Sequence, residues 1–467
     1  MNQDNGGVIG KINTPTTSLA SGVWSLDSQF DSQASSIWPL AFPQVTFTNS
    51  CRFNDDDSNY LNKTFSGNGN RRTFTLSWWF KNMGGNVHMK SGSSGDFFTL
   101  DNNSDRLRLN GADSSVDKFQ LICNRVFRDP SAWYNFVAAF DTTQSTSSDR
   151  VKFYVNGSQV TSFAVENYPT QNYETQWGNS SLSHGIGARP DGNHYFDGYM
   201  TEIIYVDGQQ LTPSSFGLTN PVTNIWEPRA YTGTYGTNGF KLNFSDSSNL
   251  GDDTSGNGND FTAQNMSSTN QSTDTCSNNF ATFNPVVNAA GNNLTLSEGN
   301  LKVTSGDNNW NSAIGTIAVN SGKWYWEVKI VNATNNYNHG VFSLITGDIN
   351  DTTNPMNQTG YSGFYNFDGG ETRIDDTVST SDFGTFAAND ILGFYLNADD
   401  NQFTIYKNGS SHVSATNLGT GRTDLVPIAV HYNGGVSDYN FGNSPFSISS
   451  GNADANGYGN FEYSPTI

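Results

Sequence analysis

The sequence predicts an all-β chain: two tandem antiparallel β-sandwiches behind a short N-terminal coil and helix leader. Three observations carry this. The stretch Val151-Lys152-Phe153-Tyr154-Val155-Asn156-Gly157 returns much later as Phe403-Thr404-Ile405-Tyr406-Lys407-Asn408-Gly409. In both copies apolar and polar residues alternate up to an Asn-Gly pair, the signal of a two-residue hairpin turn whose central residues need positive φ. Each copy also follows a second strand-like run, at 133–141 and at 390–397. The composition agrees: 32 Phe, 20 Tyr and 10 Trp stand in a background of Gly, Ser, Thr, Asn and Asp, which is strand and turn material with too much apolar surface for a disordered chain. At 467 residues, and with about 150 residues per domain as a prior, roughly three units are expected.

Residues 1–45 form the leader. Gly7-Val8-Ile9-Gly10 and Pro15-Thr16-Thr17 read as extended coil, whereas 25–36 reads as a helix. There Leu26, Phe30, Ala34 and Ile37 fall at i, i+4, i+8 and i+11 on one face, and Trp38-Pro39 closes it. A helix of about twelve residues is marginal alone in water. Its stripe therefore needs a surface, either the chain's own first sandwich or another protein.

The first sandwich is expected over 46–218, with clear strands at 72–80, 133–141 and 198–208 separated by Gly, Asn and Ser clusters. A connector follows at 219–286, with a hairpin at Asn238-Gly239 and a strand at 240–244. Its stretch from Asp252 and Asp253 to Asp260 offers oxygen ligands for a hard cation such as calcium; turn formation by Asp and Asn explains it equally well. The second sandwich is expected over 287–447, with strands at 323–330, 390–409, 425–430 and 436–442, and 448–467 reads as a loosely ordered tail.

These segments resemble known families. Trp133 to Asp141, Val151 to Gly157, His184-Gly185-Ile186-Gly187-Ala188-Arg189 and Phe196 to Gly208 are similar in order and spacing to the concanavalin A-like, laminin-G-type jelly roll. Members of that family often recognise sugars, some through calcium. Lys323-Trp324-Tyr325-Trp326-Glu327, Phe403 to Gly409 and Asn440-Phe441-Gly442 resemble a SPRY domain, a protein-binding sandwich without catalysis. The leader, with Ala20-Ser21-Gly22-Val23-Trp24-Ser25-Leu26, followed by both sandwiches, resembles structural proteins of tailed bacteriophages, especially marine ones. That resemblance implies a head fibre, capsid decoration or tail fibre, assembled in a host cytoplasm and residing in the virion. It also implies a leader that docks on other virion proteins, with Val8, Ile9, Val23, Trp24, Leu26, Phe30, Ile37 and Trp38 as the anchoring residues. A homo-oligomer is expected because a small anchor gains avidity in several copies, and a trimer is the usual state of the resembled fibres.

Charge and motifs narrow the function. With 23 basic and 43 acidic side chains the net charge is −20, the wrong field for a general nucleic-acid binder. No apolar run suits membrane insertion, and the N-terminus has no basic and apolar signal regions. Cys51, Cys123 and Cys276 read as small buried hydrophobes. A glycan hydrolase on this scaffold needs two carboxylates on one sheet face. The only comparable strand carries Glu202 and Asp207, an odd number apart and so on opposite faces. His88, His184, His194, His339, His412 and His431 are dispersed, and His184 and His194 flank a loop-like Arg189-Pro190-Asp191-Gly192 where surface positions are expected. The expectation is a non-enzymatic protein. The alternative function is a lectin for host surface glycans, in which Tyr361, Phe364, Tyr365 and Phe367 either stack on sugar rings or line the core.

Overall fold

The computed structural model describes residues 45–220, 223–289, 293–306, 308–332, 337–344, 359–365, 370–375, 377–381, 384 and 386–465. The leader, with all eight anchoring candidates, lies outside the described residues. The described residues are all-β, with short 3₁₀ turns and no α-helix.

Alternating apolar residues build two antiparallel sheets in the first half. One runs in the order Ser158–Gln159, Val151–Val155, Trp133–Asp141, Thr73–Gly85, Phe196–Asp207, Ser50–Phe53, Gln271–Ser272, with Phe240–Leu242 also paired to Phe196–Asp207. The other runs Phe163–Asn167, Val116–Val126, Arg106–Asp113, Phe97–Asn103, Val87–Ser91, His184–Ile186, Tyr60–Lys63, Thr262–Gln264. Their facing sides bury an aromatic core that includes Trp78, Phe80, Phe98, Phe136 and Trp177, with Phe74 and Phe140 stacked at 4.5 Å. The alternation is visible in the repeat itself, where Val151, Phe153 and Val155 face this core and Tyr154 faces out.

Among the described residues, the second half has two further antiparallel sheets of seven strands each. One of them, Ser410–Asn417, Gln402–Lys407, Ile391–Asn397, Lys323–Asn332, Val436–Asn440, Lys302–Ser305, Leu294–Ser297, repeats the order of the first sheet over its first six strands; at the seventh position Leu294–Ser297 comes earliest in its sheet, whereas Gln271–Ser272 comes last. Trp326 stacks on Phe394 at 5.4 Å in its core.

Both Asn-Gly turns have the expected backbone: φ is +47° at Asn156 and +77° at Gly157, and +49° at Asn408 and +76° at Gly409. Each glycine is required twice over, because a later aromatic lies against it. A Cβ at Gly157 would come within 2.4 Å of the Trp226 ring, and one at Gly409 within 2.5 Å of the Tyr463 ring.

The stretch read as a connector, 219–286, contributes strands 240–242, 262–264 and 271–272 to the first pair of sheets. Ahead of those strands, Leu211, Tyr231 and Tyr235 cover the outer apolar face formed by Val137, Ala139, Ile204 and Val206. The Asn238-Gly239 hairpin does not form. Positive φ falls at Gly236 instead, and the Asn238 amide is taken by the Asp207 carboxylate at 3.0 Å. The stretch 448–465 is also held: Glu327 accepts from the amides of Glu462 (3.0 Å) and Tyr463 (2.7 Å), from Asn440 and from the Tyr325 hydroxyl.

Polar groups bolt the two halves together. Lys81, fully buried, donates to Asp274 at 2.8 Å, to Asn279 at 2.9 Å and to the Phe280 carbonyl at 2.8 Å. Asp274, equally buried, also accepts from Trp133 at 2.9 Å and from Asn443 at 3.3 Å. Arg52 donates to the carbonyls of Thr269 and Ser444 and pairs with Glu298 at 3.2 Å. Tyr199 donates to the Gly299 carbonyl at 3.0 Å.

Candidate functional site

At the Asp252–Asp260 loop the carboxylates are occupied by the chain itself. Asp253 accepts from the amides of Lys241, Ser255 and Asn259 and from the Ser255 hydroxyl, while Asp260 accepts from the Asp253 amide at 2.9 Å. This is the turn-forming use of Asp. Asp252 stands apart, its carboxyl shifted up by partial burial and by the charges of Asp260, Asp246 and Asp253. Among the described residues no group of three or more His, Cys, Asp or Glu side chains is gathered as a metal would require.

Glu202 and Asp207 do not converge. The register slips between Thr201 and Ile204, Glu202 takes φ +47° as the extra residue, and Met200 and Ile203 both reach the core. Glu202 turns to Lys241 at 3.1 Å; burial raises its carboxyl and the lysine partly offsets this. Asp207 is held at the strand end by the amides of Asn70 and Asn238.

His88, His184, His339 and His431 are core residues, whereas His194 is exposed as expected. His184, expected at the surface, is fully buried: its Nε2 accepts from the Gly178 amide at 3.0 Å and its ring packs on Trp177. It occupies a strand paired on both sides, which a run of three residues did not announce. Burial pulls His88, His184 and His431 down to about 3 and also lowers His339. Tyr361 is likewise a core residue. The side chains of Phe364 and Tyr365, and Phe367 itself, lie outside the described residues. Cys51 and Cys123 are buried and none of the three cysteines is in a disulfide.

The geometry points instead to a cleft where the two halves meet, about 260 Å³ in volume. One wall is the 268–273 segment, with Ser268, Thr269, Gln271, Ser272 and Thr273; the other is Asn443, Ser444, Phe446, Ser447 and Ile448. Arg52 fixes both walls from behind through the Thr269 and Ser444 carbonyls, and Thr273 reaches across to the Gly442 carbonyl at 2.7 Å. Asn443 is 1% exposed. Its amide nitrogen is directed to Asp274, which leaves Oδ1 as the other end, and no donor among the described residues meets that oxygen. Nothing in the sequence marks this site, because its Ser, Thr and Asn residues read as ordinary turn material and come from segments about 170 positions apart, as the Asp274–Asn443 separation of 169 shows.

Comparison with known proteins gives a match for one part of the chain. Residues 54–215 match the concanavalin A-like lectin/glucanases superfamily. Among solved structures, the chain is similar to the SPRY domain of human HERC1 at 17% identity, covering 34% of this chain and 96% of that one, with a TM-score of 0.27. It is also similar to the TRIM65 PSpry domain at 16% identity, covering 34% and 88%, with a TM-score of 0.29. Stonustoxin is similar at 19% identity, covering 34% of this chain and 27% of that one, with a TM-score of 0.27. No curated protein matches. The chain thus carries a concanavalin A-like region over residues 54–215.

Proposed function

We propose that the chain is a non-enzymatic structural protein of a bacteriophage virion, a head fibre, capsid decoration or tail fibre. In this reading residues 1–45 attach it to other virion proteins, and the protein is a homo-oligomer, a trimer in the fibre case. The observation that supports the reading best is the junction. Two sandwiches joined through the bonds of Asp274 to Asn443, Arg52 to Ser444 and Tyr199 to Gly299 make one stiff body, suited to being displayed at the end of a short attachment segment. The separate partners of Glu202 and Asp207 fit a role without catalysis. Peptide mapping of purified particles tests the assignment: the chain is expected among the virion proteins, and its absence there would sink the idea. Deleting residues 1–40 is expected to abolish incorporation while leaving a soluble, folded body; incorporation that survives the deletion removes the anchor.

A second reading is supported by the match at 54–215 and by the uncharged cleft: recognition of a host surface glycan. Both roles fit one displayed protein. A glycan array run with and without calcium tests it, and silence in both conditions counts against it.

A further inference from the structure

We infer that the cleft between the two halves is the binding site for a neutral saccharide, a monosaccharide or the terminal unit of a longer glycan. This rests on the glycan-recognition reading and assigns it a place.

The chemistry of the walls selects the class. Hydroxyls and amides dominate the lining, and none of its residues is charged, in a protein with a net charge of −20. A cationic ligand would find no carboxylate in the lining, and the cations beside it are engaged elsewhere, Arg52 on the Thr269 and Ser444 carbonyls and Lys329 over the Phe446 ring. An apolar ligand would strip water from hydroxyl groups without replacing their bonds. A polyhydroxylated neutral molecule satisfies all of them, since each of its hydroxyls both donates and accepts. Asn443 is 1% exposed in one wall, with its amide nitrogen turned to Asp274. In the other wall the Ser272 oxygen accepts from the Asp274 amide at 3.1 Å, which leaves its proton to donate. Ile448 adds a small apolar surface for the carbon face of a sugar, beside the buried Phe446.

Size agrees. The cleft lies just under the range of about 300–1,000 Å³ usual for drug-sized ligands, which suits one sugar unit rather than a long chain in the groove. The walls are also preorganised. Arg52 and Thr273 tie one wall to the other, so little ordering remains to be done on binding.

The test uses the full chain with calorimetry and saturation-transfer NMR. The probes are glucose, galactose, mannose, N-acetylglucosamine, lactose and maltose, with glucuronate and glucosamine as charged controls. Ser447→Trp and Ser268→Trp fill the cleft from exposed positions, and Val116→Trp, far along the sequence on an exposed strand, is the comparison. At least one neutral sugar is expected to bind more tightly than the charged controls. Both cleft variants should weaken it about tenfold or more, with thermal midpoints and Val116→Trp unchanged. If a sugar binds and both cleft variants bind it as the wild type does, the cleft is overturned while glycan recognition stands. If none of the neutral probes binds at concentrations up to about 10 mM, both fail.

Discussion

Asp197 sits opposite Gly84 where the strands Thr73–Gly85 and Phe196–Asp207 pair, buried and with one carboxylate oxygen lacking a partner. Burial, reinforced by Asp55, Asp56 and Glu298, pushes its carboxyl up to about 8. In the unfolded chain the same group ionises near 3.8, so between those values the folded state holds the extra proton. Stability therefore falls as pH rises through this window. Asp197→Asn keeps the shape and removes the titration. Urea unfolding should show the variant more stable than wild type by roughly 5 kcal/mol at pH 8, with the difference vanishing near pH 4. A constant difference across that range would exclude Asp197 as the source. Such a position is not legible in sequence, since Phe196-Asp197-Gly198 reads as an unremarkable strand entry. The turn glycines are legible in part: positive φ follows from Asn-Gly, but the approach of Trp226 to Gly157 and of Tyr463 to Gly409 does not.

At the scale of elements, period-two alternation made the long strands readable, because each buries one face against the aromatic core. What escaped were short elements whose burial comes from partners distant in sequence. His184–Ile186 and Gln271–Ser272 have no pattern of their own and are placed only by the strands beside them. The stretch after residue 448 is similar: its composition suggests looseness, yet Glu327 on the outer face of its sheet holds it through two backbone amides. Glu327→Ala removes that acceptor from a buried site, and a loss of roughly 2–4 kcal/mol is expected. Limited proteolysis should then cut between 449 and 463 well before the body unfolds. Unchanged protection of that segment would show that Phe461, packed on Tyr325 at 5.1 Å, suffices to hold it.

For the whole molecule, the tandem plan was legible from the repeat, and the order shared by six strands of the two sheets shows how far that repeat extends. The junction was not, because Arg52 and Lys81 lie in the strands Ser50–Phe53 and Thr73–Gly85, and the sequence alone cannot reveal which carboxylates meet them. Lys81→Met leaves Asp274 buried without its cation, at a cost of about 3–5 kcal/mol. Calorimetry should show one cooperative transition for the wild type and two for this variant as the halves uncouple. A single transition in both would mean that the remaining bonds, Arg52 foremost, carry the coupling.

The pairing of Ser50–Phe53 with Gln271–Ser272 also sets an order of events during synthesis. The first half closes only after more than 200 further residues have emerged, and Lys81 meets its carboxylate at the same late stage, 193 positions on. A chain halted between 219 and 260 would carry an open strand edge and an ammonium with no partner for its future interior. In that state association between nascent chains competes with folding. The smallest piece able to fold as the first half therefore extends past Asp274, well beyond the last strand-like run that resembles a jelly roll.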